Sequence, residues 1–380
     1  MSSGERPRRP ALGSVETENR ALLLALIALA ASLAAGPAVF AGETVALFGA
    51  GSVGWTAAVA AGVSGAAAFS TGYLRSSRSQ RTSAWRRLFD AAVLTVTAAG
   101  IVMLLTGSAF AVFDLAFREL RLDAPMAAVL VGLSAALSAY VLTLFSSEVT
   151  SIAIANLLAL FLVSGGLASM LSANDPYWWQ LNFSALGVGD GFSAYAFNMT
   201  LVFAGLVMVT LTHYVIGDLR TSALLEERRR LEVLRTWLVA VGVLLVGMGG
   251  VTVENAKALH TVLASTMTVL FAGLIVATPY LVPRLPRSFV VTSSAFVSAF
   301  AFVVLLMWPV GYFNLTAVEL LGFFLLLTWL FLFVRTVAAH LKDDRAGDRS
   351  KRAPSDLRSV EDHSSVDQDR LPGDVAGVRT

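Results

Sequence analysis

The sequence predicts an all-α, polytopic integral membrane protein with about ten transmembrane helices and both termini in the cytoplasm. Composition, the lengths of the apolar runs and the placement of positive charge all support this. Of the 380 residues, 56% are hydrophobic and 14% are charged, whereas soluble domains carry about 25% charged residues. The chain has no cysteine, which excludes disulfides, thiolate metal sites and a cysteine nucleophile.

Apolar runs long enough to cross a bilayer recur ten times. About 20 helical residues span the roughly 30 Å hydrocarbon core, and each run must be helical because unpaired backbone amides are costly in lipid. The charged, Ser- and Pro-containing ends, residues 1–18 and 341–380, are predicted to be disordered. The predicted spans lie near 21–42, 53–74, 88–113, 125–147, 150–172, 194–217, 236–253, 258–282, 288–308 and 315–339.

Positive charge sets the orientation of the chain. If ten spans alternate, the basic clusters all fall on one side, which the positive-inside rule assigns to the cytoplasm. A net charge of +2 in such short clusters is typical of membrane insertion, so we expect no nucleic-acid partner. The clustered residues are Arg6, Arg8, Arg9, Arg75, Arg78, Arg81, Arg86, Arg87, Arg228, Arg229, Arg230, Arg235, Arg284, Arg287, Arg335 and Lys342.

The first span has an alternative interpretation as a signal peptide, because "AVFAGE" offers small residues for cleavage. Its apolar core is longer than the usual stretch of about 7–15 residues. Removing it would also invert or strand the nine remaining spans. We therefore interpret the first run as a transmembrane helix.

The second span carries a stripe of small residues at every fourth position. Gly54, Ala58, Gly62, Ala66 and Ser70 lie along one helix face. Small residues allow a neighbouring backbone to approach closely. The stripe predicts a helix-packing surface, and a substrate groove is the alternative.

His260 and Glu319 are the most informative polar pair. His260 opens the eighth span and Glu319 lies about one turn into the tenth, so both belong near the outer interface. Ionisable groups in spans are costly and usually face protein or water. They either anchor a lipid headgroup or relay a proton, or else form a structural hydrogen bond that holds two helix ends together. A metal site needs three or four ligands, so we predict neither a metal nor another cofactor.

The loop between the fifth and sixth spans, "NDPYWWQLNFSALGVGDGFSAYAFN" (174–198), carries aromatic residues and no Lys or Arg. Trp178 and Trp179 are typical of the aromatic belt at a membrane interface. We expect residues 182–187 to fold across the outer mouth of the bundle, near His260 and Glu319. The candidate lipid-binding residues are His260, Glu319, Asp175, Trp178, Trp179, Asn182, Ser184 and Asn198.

The run "YWWQLNFSALGVGDGFSAYAFNMTLVFAGL" resembles the first outer loop and second span of the Frag/DRAM/Sfk superfamily, most closely its bacterial branch, domain of unknown function 998. The matching residues are Ser184, Leu186, Gly187, Phe197 and Asn198. That family tends to carry a His opening its fourth span and a Glu early in its sixth, positions that His260 and Glu319 occupy if the domain covers about 150–340.

This resemblance implies how the chain divides into domains and in which membrane the protein works. Residues 148–340 would form a six-span family domain, and residues 19–147 an added four-span unit. Eukaryotic members are associated with lipid remodelling, autophagy and lipid-kinase recruitment, whereas the bacterial branch has no established activity. The resemblance implies lipid-related work in the plasma membrane of a bacterium.

Three functions remain open at this point. The cation-free aromatic loop and the family likeness favour a non-enzymatic lipid-binding or membrane-organising protein, with membrane lipids as its partners. A secondary transporter would use five plus five inverted spans, but no sequence repeat joins the two halves. An intramembrane lipid-modifying enzyme would use His260 as general base, with Ser184 as the loop hydroxyl of the matching motif. We assign no catalytic residue from the sequence.

Overall fold

The computed structural model describes residues 15–41, 44–49, 51–76, 83–147, 149–222, 224 and 227–364, with side chains described as far as Asp343. Ten helices in this part of the chain are long and apolar enough to cross a membrane, which confirms the prediction of ten spans. They are α1 (Val15–Phe40), α2 (Val53–Ser76), α3 (Ala84–Ala116), α4 (Ala124–Ser147), α5 (Ser151–Leu171), α6 (Phe192–Thr221), α7 (Arg228–Gly250), α8 (Val253–Leu281), α9 (Arg287–Met307) and α10 (Leu315–Ser364).

The loops at the end of the bundle opposite the start of α1 contain short ordered elements. Strand β1 (Val45–Ala46) follows α1 and pairs antiparallel with β2 (Arg121–Leu122), which follows α3. Between α5 and α6, the loop forms two short 3₁₀ helices, at Trp178–Gln180 and Phe183–Gly187. The loop is therefore folded on the bundle.

Both ends of the chain differ from the expectation of disorder where they are described. Helix α1 begins at Val15, so residues 15–18 are helical, and α10 continues through Ser364. A helix already formed inside the membrane extends without the cost of nucleation, a factor that composition does not capture. Residues 1–14 and 365–380, also included in that expectation, lie outside the described residues.

One hydrophobic core joins the expected four-span and six-span units. It includes Leu94 of α3, Leu158 of α5 and Met208 of α6, and it continues to the far side of the bundle. There the ring of Trp329 stacks on Phe333 with 5.5 Å between the ring centroids. Residues 19–147 thus contribute directly to the packing of the later helices.

Small residues set the close contacts of α2, as the stripe predicts. A Cβ on Gly54 would lie 2.6 Å from that of Phe110, and one on Gly62 would overlap the side chain of Met103, both in α3. The adjacent face of α2 packs on α4, where Gly65 faces Ser138. The stripe is a packing surface.

Candidate functional site

The loop between α5 and α6 begins with a turn built by Asp175. Its Oδ1 accepts the backbone N–H of Tyr177 at 2.8 Å, and its carbonyl accepts that of Trp178 at 3.3 Å. Asp and Asn side chains commonly form such turns with backbone two residues further on. Asp175 is exposed, and these bonds stay within its own loop, so the structure does not unite it with His260 and Glu319.

The two tryptophans occupy different environments. Trp179 is 48% exposed. Trp178 is half-buried and packs on a small core that contains Leu186 and Phe197. Of the two rings predicted to rest at the interface, Trp178 packs partly on this apolar core and Trp179 is exposed, because the 3₁₀ geometry turns successive side chains in different directions.

His260 holds the loop from α8. A break in helical geometry at Ala256 (φ −155°, ψ 71°) separates the first turn of α8 from the rest, and the ring of His260, 5% exposed, lies just beyond it. The distance from Nδ1 to the carbonyl oxygen of Val251 is 2.6 Å, and from Nε2 to Ser184 Oγ 3.2 Å. A carbonyl only accepts, so Nδ1 carries a proton toward Val251, and Nε2 and the Ser184 hydroxyl share the second hydrogen bond.

Glu319, which lies in α10, holds Phe183, the loop residue next to Ser184. Its Oε2 accepts the backbone N–H of Phe183 at 2.5 Å. His260 and Glu319 thus meet on two consecutive residues of one loop. We call the contacts of His260 with Ser184 and of Glu319 with Phe183 the loop clasp; they confirm the expected proximity of residues 182–187 to this pair.

The two asparagines of the candidate set support the loop from within. Asn198 in α6 donates from Nδ2 to the carbonyl of Gly187 at 2.9 Å. A Cβ on Gly187 would lie 2.6 Å from Asn198 Oδ1, so glycine is required for this approach. Asn182 precedes the second 3₁₀ helix, and its Oδ1 is buried without a hydrogen-bond partner within the described part of the chain, as is Thr316 Oγ1.

Further contacts at this end were missed from the sequence. Asn314 donates from Nδ2 to the carbonyl of Trp179 at 2.8 Å, and its Oδ1 caps α10 at the N–H of Ala317. Glu254 accepts the N–H of Gly189 at 3.0 Å. An Asn before an apolar run does signal a helix N-cap, but no local pattern indicates which loop its amide reaches.

Besides holding the loop in place, the loop clasp has one feature of chemical interest. A serine hydroxyl and a histidine nitrogen lie within hydrogen-bond reach, and a carbonyl fixes the histidine tautomer, which is the arrangement of an activated nucleophile and its base. Among the described residues, no group of three or more His, Asp or Glu side chains is placed to hold a metal ion.

The fold and its ten spans define the chain as a multi-pass membrane protein. No family model, no curated protein and no solved structure matches it. Its functional interpretation accordingly rests on its own residues.

Proposed function

We propose that this protein is a non-enzymatic, lipid-binding component of the plasma membrane, and that its outer loop contacts lipid headgroups. The observation that carries the proposal is the loop clasp, in which two spans fix the same loop at adjacent residues. A binding surface is strengthened by preorganisation because less conformational entropy is lost when the ligand binds.

The exposed aromatic side chains at this end fit a lipid partner. Trp179, Tyr177 and Tyr195 are exposed on or beside the loop, and Trp308 (83% exposed) and Tyr312 follow α9 at the same end. Amphipathic rings favour the headgroup level of a bilayer. Asn314 connects the two groups of rings, since its amide bonds the carbonyl of Trp179.

The orientation and the family relationship belong to the same proposal. The arginine distribution supports cytoplasmic termini, which puts the clasp at the outer leaflet. The match of Ser184, Leu186, Gly187, Phe197 and Asn198 to the motif of the unknown-function family supports a relationship over residues of about 150–340. A bacterial plasma membrane is the corresponding location.

Mass spectrometry of co-purifying lipids tests the proposal. The wild type, the clasp variant His260→Ala/Glu319→Ala and the control Trp85→Ala are compared after purification in the same detergent. Trp85 is exposed at the start of α3, at the opposite end of the bundle. We expect one lipid class to be enriched with the wild type and the control, and lost from a clasp variant that remains folded. Equal lipid content in all three proteins contradicts the proposal.

A second candidate is acyl transfer from a lipid ester, favoured by the 3.2 Å contact between Ser184 and His260. Ser184 Oγ would attack the ester carbonyl carbon while His260 Nε2 takes the hydroxyl proton, and the proton would then pass to the departing alcohol. Water would hydrolyse the resulting acyl-serine. Covalent labelling of Ser184 by a serine-directed probe distinguishes this candidate from simple binding.

A further inference from the structure

A cleft of about 200 Å³ opens at the end of the bundle opposite the loop clasp. Helices α1 and α2 both pack mainly on α4 and touch each other little, so α4 forms the floor between them. The cleft lies where α1 begins and where α2 and α4 end. Its lining includes Thr17, Arg20, Arg75, Ser76, Thr143 and Ser147.

Two guanidinium groups give the cleft its charge. Arg20 is paired with Glu16 at 2.9 Å, but the Glu16 side chain is 72% exposed, and such surface pairs contribute little. Arg75 makes no ion pair or side-chain hydrogen bond within the described ranges. Glu18, the other acid near the start of α1, accepts the Tyr140 hydroxyl at 2.6 Å. The lining therefore carries more positive than negative charge.

The other lining residues are uncharged, and four of them carry a hydroxyl: Thr17, Ser76, Thr143 and Ser147. The hydroxyls of Ser76, Thr143 and Ser147 donate to carbonyls of their own helices, at 3.2, 2.7 and 2.8 Å. A hydroxyl hydrogen rotates to suit a better acceptor, so each of these groups is able to turn toward an anion. Guanidinium groups flanked by hydroxyls are well suited to phosphate, which Arg binds through two parallel hydrogen bonds.

The size of the cleft and its surroundings limit the occupant. A volume of about 200 Å³ accommodates a phosphate group but not a whole phospholipid. Leu23 and Ile27 of α1, three and seven positions after Arg20 and on the same helix face, are exposed, and in a bilayer this face contacts acyl chains. A lipid phosphate inside the cleft would leave its chains along α1.

We propose that this cleft binds a phosphate group, carried either by an anionic phospholipid or by free phosphate. The site is independent of the outer loop: it lies at the other end of the bundle and shares no residue with the loop clasp. Arg20 and Arg75 hold the phosphate oxygens, and α4 closes the cleft from below.

The test uses the full-length protein and two arginine pairs at the same end of the bundle. Arg20→Gln/Arg75→Gln removes the cleft charges. Arg228→Gln/Arg287→Gln removes two exposed arginines from the starts of α7 and α9, outside the cleft. Native mass spectrometry counts phosphatidylglycerol and phosphatidylcholine retained by each protein, with and without millimolar inorganic phosphate.

We expect the wild type and the control pair to retain phosphatidylglycerol, and the cleft pair to retain it about tenfold less, consistent with losing charge-assisted hydrogen bonds. Retention that resists inorganic phosphate identifies the lipid as the source, and displacement identifies free phosphate. Equal retention by all three proteins overturns the proposal, as does equal loss in both pairs, which indicates general attraction to the basic end. The variant Arg20→Lys/Arg75→Lys keeps the charge and serves as the control for misfolding. It should retain an intermediate amount of phosphatidylglycerol.

Discussion

At the scale of single residues, the contact between Ser184 and His260 is compatible with two roles, one structural and one catalytic. In both, Nδ1 of His260 donates to the carbonyl of Val251, and Nε2 shares a hydrogen bond with the Ser184 hydroxyl. In a purely structural role this bond only holds the loop. In a catalytic role the Ser184 oxygen is also nucleophilic and accessible, and that property is directly measurable.

A fluorophosphonate probe measures it, because the reagent forms a covalent bond with activated serine hydroxyls. If the structural role is correct, the full-length protein shows no more labelling than the Ser184→Ala variant. If acyl transfer occurs, labelling of the wild type exceeds that of Ser184→Ala and His260→Ala by about a hundredfold or more, the usual range for loss of a general base.

Ser172 provides the matched serine control. It is half-buried at the end of α5, close to the same loop, and its hydroxyl donates to the carbonyl of Ala168 at 2.6 Å. Ser172→Ala should not change labelling under either function. Labelling that depends on Ser172 as much as on Ser184 would show that the probe reports exposure and not activation by His260.

At the scale of whole elements, the sequence is informative wherever the bilayer imposes a requirement. Helix formation in lipid follows from backbone hydrogen bonding alone, so ten apolar runs sufficed to predict α1 to α10. Predicted and observed ends differ by several residues at α3 and α7, because turns of helix containing Arg86 or Arg228 extend beyond the apolar runs. Hydropathy does not detect those turns.

No such rule predicts the fold of the loop between α5 and α6. Its fold depends on contacts between residues far apart in the chain, such as the bond from Phe183 to Glu319 across 136 positions. The sequence marked His260 and Glu319 because charge is costly in a span. It could not show that Trp178 packs inward or that Asn314 bonds the loop, since both depend on tertiary packing.

The contact between α6 and α7 allows an element-scale prediction. A Cβ on Gly205 would overlap the carbonyl oxygen of Gly242 and lie 2.8 Å from the backbone nitrogen of Val246. Gly205→Ala should therefore destabilise the protein by about 1–3 kcal/mol, the usual cost of overpacking. Gly217, in the same helix, has open space around it, so Gly217→Ala should be neutral or stabilising by up to about 1 kcal/mol. Thermal unfolding in detergent, followed by circular dichroism, compares the two, and equal melting temperatures would contradict this account of the contact.

At the scale of the whole molecule, the two ends of the bundle differ in charge and in ring content. The end with the α1 N-terminus carries the arginine clusters and the arginine-lined cleft, and the other end carries the clasp and the exposed aromatic rings. The shared core joins the early and late helices between these ends. The orientation of this single unit therefore determines which leaflet each proposed site faces.

Cysteine labelling measures that orientation cleanly, because the natural chain has no cysteine. Asp190→Cys and Lys257→Cys lie at the clasp end, and Arg228→Cys and Lys342→Cys at the arginine end; all four positions are exposed. With a membrane-impermeant maleimide on intact cells, we expect the first two to react, and the second two to react only after permeabilisation, because basic loops are retained in the cytoplasm.

Each pattern of labelling has a separate consequence. The reverse pattern would turn the clasp toward the cytoplasm and refute outer-leaflet binding, while the phosphate chemistry of the cleft would still stand with an extracytoplasmic ligand. Disagreement between Asp190→Cys and Lys257→Cys would mean that an odd number of spans separates two loops that the structure joins through Gly189 and Glu254. That result would contradict the fold itself, so the pair serves as an internal control on the ten-span topology.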